Sequence, residues 1–402
     1  MMDFDKNNFS AENHFVRNSP SVLKNIFGTE KVISFWVADM DFTVADPIRA
    51  ELQRLVDRGQ FAYEFYPEGV FRAISGWYQR RHNLYLQTDK FIQVTSVLTG
   101  IALLIRELTK KGDAVLIQPP VYHQFSKVIQ SAGCKIVKSP LRVSDAYYRM
   151  DFADLEKKLE APELKVMVLC NPHNPVGRVW QKEELEKLLQ LANKYDVTII
   201  SDEIHGDIIY SGYRFTSLMT LDSDKHVALI GSPAKTFGMQ SISNGYIYTK
   251  NSKLWKMVND TAESMYLSNG NAFTTFATIA AFEKGDAWLD QLLDYLQDSL
   301  RWMKQFLLEE LPAVKMTPVQ GTYQVWLDFS KTGFEDSTLI GKLAEAGFGA
   351  APGTWFDNDA IQFARVNFAA PRDDIKKAFL RLKEALTQPN TSFGSKCCGC
   401  CD

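Results

Sequence analysis

The chain has 402 residues, about 2.7 times a 150-residue domain yardstick, which favours two domains over one or three. Apolar residues make up 46% and charged residues 23%, with 45 Lys and Arg against 48 Asp and Glu and a formal charge of −3. This excludes a disordered or strongly basic chain and gives no electrostatic case for nucleic acid or an anionic membrane, so the expected partner is a small molecule.

The opening MMDFDKNNFSAENHF is polar and acidic, without a basic stretch leading into an apolar one. No later apolar run approaches the roughly 18 residues of a membrane span, and a cytoplasmic protein is expected. VISFWVADMDF at 32–42 is too aromatic and acidic for an ordinary surface loop and reads as an ordered segment near a cleft. Helices are expected over about 47–60, opened by Pro47, and about 69–82.

From residue 91 short β-branched runs recur: FIQVT (91–95), AVLIQ (114–118), CKIVK (134–138), LKVMVLC (164–170), VTIIS (197–201), VALIG (227–231) and NGYIYT (244–249). Helical patterns separate several of them, which predicts an α/β domain around a mostly parallel sheet. A long helix follows through WLDQLLDYLQDSLRWMKQFLLEEL. GTYQVWLDF (321–329), an edge strand around FARVNFA (363–369) and the closing DDIKKAFLRLKEAL complete a smaller α+β unit. The expected boundaries are an N-terminal segment, 1–45, partly joining the small domain; a large domain, 46–285; a small domain, 286–390; and a Cys-rich flexible tail, 391–402. Four of the six cysteines crowd that tail as CCGCC, which lacks the spacing of a structural zinc site, so no metal is expected.

The informative residues follow strands. NPHNPVG at 171–177 places Asn171, His173 and Asn174 where an open α/β sheet exposes its carboxyl-end crevice, and SDEIHGD at 201–207 adds Asp202, Glu203, His205 and Asp207. GSPAKTFG at 231–238 puts Lys235 after a further strand. A lysine can tether an aldehyde cofactor, an aspartate can keep a pyridine nitrogen protonated, and an amide can hold the ring hydroxyl. A phosphate would need backbone donors, and Ser96, Val97 and Leu98 at a helix start after a strand can supply them. Tyr122 in PPVYHQF fits either a ring contact or core packing. Arg365 in FARVNFA sits in an apolar run, where its cation calls for a carboxylate, internal or from an amino-acid substrate.

With NPHNPVG, SDEIHGD and SPAKTFG in this order, residues 30–388 resemble fold-type I pyridoxal-phosphate enzymes of the class I/II aminotransferase superfamily. ISFWVADMDF, His205, PPVYHQF and GTYQVWLD resemble its cystathionine β-lyase group of the MalY/PatB type. That resemblance implies a pyridoxal 5'-phosphate cofactor bound through the large domain, with Lys235 as the imine-forming amine, Asp202 on the pyridine nitrogen, Asn174 on the ring hydroxyl and Tyr122 stacked on the ring. His205, Ser232 and the Ser96, Val97 and Leu98 group would complete the cofactor site, and Arg365 would bind the substrate α-carboxylate. Tyr63 in FAYEFY would reach the phosphate of a neighbouring subunit, which implies a homodimer. The implied reaction is α,β-elimination of cystathionine or cysteine-type substrates to pyruvate, ammonia and a thiol or hydrogen sulfide; the alternative is amino transfer to a 2-oxoacid. Three departures stand out: TSVL carries Ser96 where relatives have glycine, Ala234 replaces a serine, and Ser243 stands where relatives carry a basic residue.

Overall fold

The computed structural model describes residues 2–6, 14–222, 226–334 and 338–387, so the expected tail at 391–402 lies outside the described residues. The seven β-branched runs form strands β1 (Phe91–Val94), β2 (Ala114–Ile117), β3 (Lys135–Lys138), β4 (Leu164–Cys170), β5 (Thr198–Asp202), β6 (Val227–Gly231) and β7 (Gly245–Tyr248). They make one sheet in the order β1-β7-β6-β5-β4-β2-β3. All pairings are parallel except those of β7, which runs against both its neighbours. Every residue of β1, β2, β6 and β7 is buried. Two covered faces require apolar side chains at consecutive positions, which is why these strands read as continuous runs.

Helices α1 (Asp46–Arg58) and α2 (Pro67–His82) each begin with proline in the first turn, and α3 (Val97–Leu108) follows β1. The 25-residue α4 (Asp286–Glu310) leads to a second sheet. That sheet contains β8 (Lys315–Met316), β9 (Gln324–Asp328), β10 (Ala351–Pro352) and β11 (Phe363–Asn367) in the order β8-β9-β11-β10, all antiparallel. The expectation that FARVNFA is an edge strand is corrected: β11 is paired on both sides, and four of its five residues are buried. The N-terminal segment joins this part of the protein, since Ile33–Ser34 pairs in parallel with Phe348–Gly349.

Register fixes the site. Cys170 at the end of β4 lies opposite Asp202 at the end of β5, and Asp202 lies opposite Ile230 of β6. The segments leaving those three parallel strands therefore start side by side at one rim of the sheet, where the loop carrying Asn174, the Asp202 carboxyl and the turn carrying Lys235 converge.

Candidate active site

A cavity of about 770 Å³ opens at that rim. Its lining includes Ser96, Val97, Leu98, Tyr122, Asn174, Asp202, His205, Ser232, Lys235 and Arg365, so ten of the eleven residues that the family resemblance assigns to the site meet in one place. Tyr63 is the exception. It is 97% exposed, stacked on Phe65 at 6.3 Å, and absent from the cavity wall of this single chain.

Lys235 sits in the one-turn helix Ala234–Phe237, which Gly238 closes in a left-handed conformation at φ 68°. Ser232 Oγ accepts from the Ala234 N–H at 3.2 Å, and Thr236 Oγ1 donates to Asp207 at 2.7 Å, so the turn is held on both sides of the lysine. The lysine Nζ donates to the main-chain carbonyl of Ala38, within the aromatic and acidic segment. Burial drives its pKa down to about 8; the Arg365 charge adds to the fall, while Asp39 and Asp202 oppose it. An amine so displaced is a usable nucleophile and base near neutrality.

Burial pushes Asp202 up to about 7 against the Ile204 N–H, which donates to Oδ1 at 3.2 Å, and the Lys235 cation. A carboxyl with so little compensation calls for a cationic N–H partner. The Asn174 side chain is buried, and its Oδ1 has no hydrogen-bond partner. His205 is buried too, its Nδ1 is without a partner, and burial lowers its pKa to about 3, so the ring is neutral. Such unsatisfied buried atoms mark a site shaped for something else to bond.

At one end of the cavity stands the amino terminus of α3. Ser96 caps it, its Oγ accepting from the Thr99 N–H at 3.1 Å. Gly245 of β7 permits this approach: a Cβ there would lie 2.8 Å from the Ser96 carbonyl carbon and 2.9 Å from the Val97 nitrogen. Thr95, Ser96, Ser232 and Ser243 bring hydroxyls to the same cavity, but position 243 brings no cation. Helix amides and hydroxyls form a donor set for a phosphate. Across the cavity Arg365 is 3% exposed, donates to the Trp36 carbonyl at 2.5 Å, lies over the Phe356 ring at 4.9 Å and leaves its Nε unpartnered. Burial lowers its pKa to about 10, so it remains a cation.

Four residues of the strand-end motifs serve the scaffold instead, among them Asn171, whose Nδ2 donates to the Thr216 carbonyl at 3.0 Å. His173 Nε2 meets the Pro120 carbonyl at 2.9 Å, Glu203 accepts from Ser201 and the Leu218 N–H, both at 2.9 Å, and Asp207 gathers His82, Trp77 and Thr236. Sequence reasoning missed the Ala38 carbonyl, which no side-chain pattern reveals. The expectation that the aromatic segment 32–42 lies near a cleft agrees with Trp36, Val37 and Ala38 in the lining, whereas His123 and Trp355, which also line the cavity, were missed.

The pattern of the family described as aminotransferase class I and II matches residues 39–382. Cystathionine beta-lyase PatB of Bacillus subtilis is 33% identical over 90% of this chain and 94% of its own length. Cystalysin from Treponema denticola, solved with a pyridoxal 5'-phosphate cofactor, superposes with a TM-score of 0.89 at 29% identity, covering 96% of this chain and 99% of its own. A PLP-bound C–S lyase from Staphylococcus hominis gives 0.89 at 28%, covering 96% and 98%.

Proposed function

Because the chain belongs to the class I and II aminotransferase family, we propose that it is a pyridoxal-phosphate-dependent carbon–sulfur β-lyase acting on cystathionine or cysteine-type substrates. The preference for elimination over amino transfer is carried by the similarity to a cystathionine beta-lyase and a C–S lyase. The cofactor part of this reading is carried by the meeting of a lysine amine with lowered pKa, a buried carboxyl and an unsatisfied buried amide in one cavity. Those groups fit the cofactor: Lys235 would attach its aldehyde carbon, Asp202 its ring nitrogen, Asn174 its ring hydroxyl, Tyr122 its face, and the α3 amides with Ser96 and Ser232 its phosphate. His205 belongs to the same wall. When bound, the cofactor supplies an electron-withdrawing ring that stabilises negative charge at the substrate Cα.

The chain's own residues do the rest. Arg365 holds the substrate α-carboxylate through a two-pronged guanidinium contact, which fixes the Cα–H direction. Lys235 Nζ removes the Cα proton, and the thiolate leaves from Cβ with the C–S bonding pair. Uptake of one water then gives pyruvate and ammonia beside the thiol. Cystathionine yields homocysteine and cysteine yields hydrogen sulfide. The aromatic walls Trp36, Tyr122 and Trp355 limit water around the leaving sulfur.

The same reading includes a homodimer in which Tyr63 enters the neighbouring subunit's site. Its support is a fully exposed tyrosine beside Phe61 and Phe65, both more than half exposed, a cluster that favours cover by another surface. A division at 1–45, 46–285 and 286–390 accords with the two sheets and the helix between them. A cytoplasmic setting accords with the near-neutral composition, and among the described residues no helix is long and apolar enough to cross a membrane. The deciding assay offers cystathionine with no oxoacid. Release of pyruvate and free thiol in equal amounts is expected, whereas amino transfer that depends strictly on an added oxoacid, with no thiol, would overturn the lyase reading.

A further inference from the structure

The segment 33–42 meets the cavity mainly through its main chain. The Trp36 carbonyl accepts from Arg365, the Ala38 carbonyl accepts from Lys235 and, at 3.2 Å, from the Tyr323 hydroxyl, and the Val37 and Asp39 carbonyls accept from Asn367 at 2.6 and 2.7 Å. Its acidic side chain nearest the chemistry is Asp39, whose charge bears on both Lys235 and Arg365. The substrate carboxylate needs Arg365 to be free, so Asp39 is a built-in competitor for it.

Arg17 removes that competition. It is 4% exposed, and its Nη1 lies 3.1 Å from Asp39 Oδ1 in a charge contact without hydrogen-bond alignment. It also pairs with Asp41 and donates to the Ser34 carbonyl. Its own carbonyl accepts from Ser34 Oγ at 2.6 Å and Trp36 Nε1 at 3.2 Å. One buried residue thus grips the segment at four positions, and among the described residues the ion pair recorded for Asp39 is this one. We infer that Arg17 is a positioning residue for substrate recognition: by holding Asp39 it keeps that carboxylate off Arg365 and Lys235 and reserves Arg365 for the substrate. The inference rests on the reading of Arg365 as the carboxylate-binding group.

Holoenzyme carrying Arg17→Met, Asp39→Asn or both tests it through two readouts, steady-state kinetics with cystathionine and the affinity for propanoate measured by calorimetry. Arg17→Met is expected to raise KM and the propanoate Kd together by about tenfold with kcat within about twofold, the pattern of lost substrate binding. Adding Asp39→Asn is expected to restore both, because a neutral side chain no longer competes. A double variant no better than Arg17→Met, or a fall in kcat at unchanged KM, overturns the inference, since lost scaffolding would not be repaired at Asp39. Should Arg17→Met not fold, the double variant is compared with Asp39→Asn alone: equal KM supports the inference and a tenfold gap overturns it. Propanoate binding needs no turnover, so an enzyme that releases no thiol refutes the lyase reading and leaves this test standing.

Discussion

At the scale of single residues, the site depends on burial acting in opposite directions on two groups. Desolvation lowers the Lys235 amine to about 8 and raises the Asp202 carboxyl to about 7. In protein stripped of cofactor, the nucleophile is the neutral amine, whose fraction grows as pH rises through its pKa. Attachment of pyridoxal phosphate, followed by absorbance, is therefore expected to accelerate from about pH 7 and level above about pH 9, well before the amine's ordinary 10.5. Arg365→Met removes a charge that depresses the amine, so the midpoint should move upward. A profile unchanged by that substitution would count against the electrostatic link. Asn174, Asp202 and Lys235 were legible in sequence because each follows a strand in a short polar motif. Arg17 was not, because its partners Asp39 and Asp41 lie more than twenty positions away in a segment with no regular period.

At the scale of elements, the contact between β7 and α3 sets where the phosphate donors stand. A methyl group at Gly245 would meet backbone atoms of Ser96 and Val97 below 3.0 Å, and backbone yields less readily than a flexible side-chain tip. Gly245→Ala is expected to cost about 1–3 kcal/mol of stability and to weaken cofactor retention at least severalfold, read from thermal melts and from cofactor lost on dialysis. Retention equal to wild type would mean that the helix start does not bind the phosphate. The central strands were readable because their two covered faces demand uninterrupted apolar runs. The hairpin Arg142–Ser144 with Tyr147–Arg149 was missed: it is short and mostly exposed, so it leaves little hydrophobic pattern. The chain after residue 275 reads as helical, but the break between the helix Ala272–Lys284 and α4 was not legible, since seven buried residues spread around the first helix and blur any single apolar stripe.

At the scale of the whole molecule, the sheet, the following antiparallel unit and the N-terminal segment supply one cavity, and the proposed dimer would add Tyr63 from a second copy. Sequence patterns predicted the two sheets but misplaced β11 at an edge, because a strand of only five residues does not announce both its neighbours. Shared sites make a distinctive forecast. Tyr63→Ala and Lys235→Ala proteins should each be impaired alone, yet on mixing and subunit exchange about a quarter of the sites should recover, since half the dimers become mixed and each has one intact site. Recovery no greater than the average of the two separate proteins would place Tyr63 outside its neighbour's chemistry.

The partner of the Lys235 amine in this chain is a peptide oxygen rather than a side chain. Mutation at codon 38 can change what hangs from the backbone there but cannot delete the oxygen itself. Tuning of how tightly that lysine is held must therefore come from shifting the path of the polypeptide, which makes distant anchors, and not position 38, the adjustable part of the device.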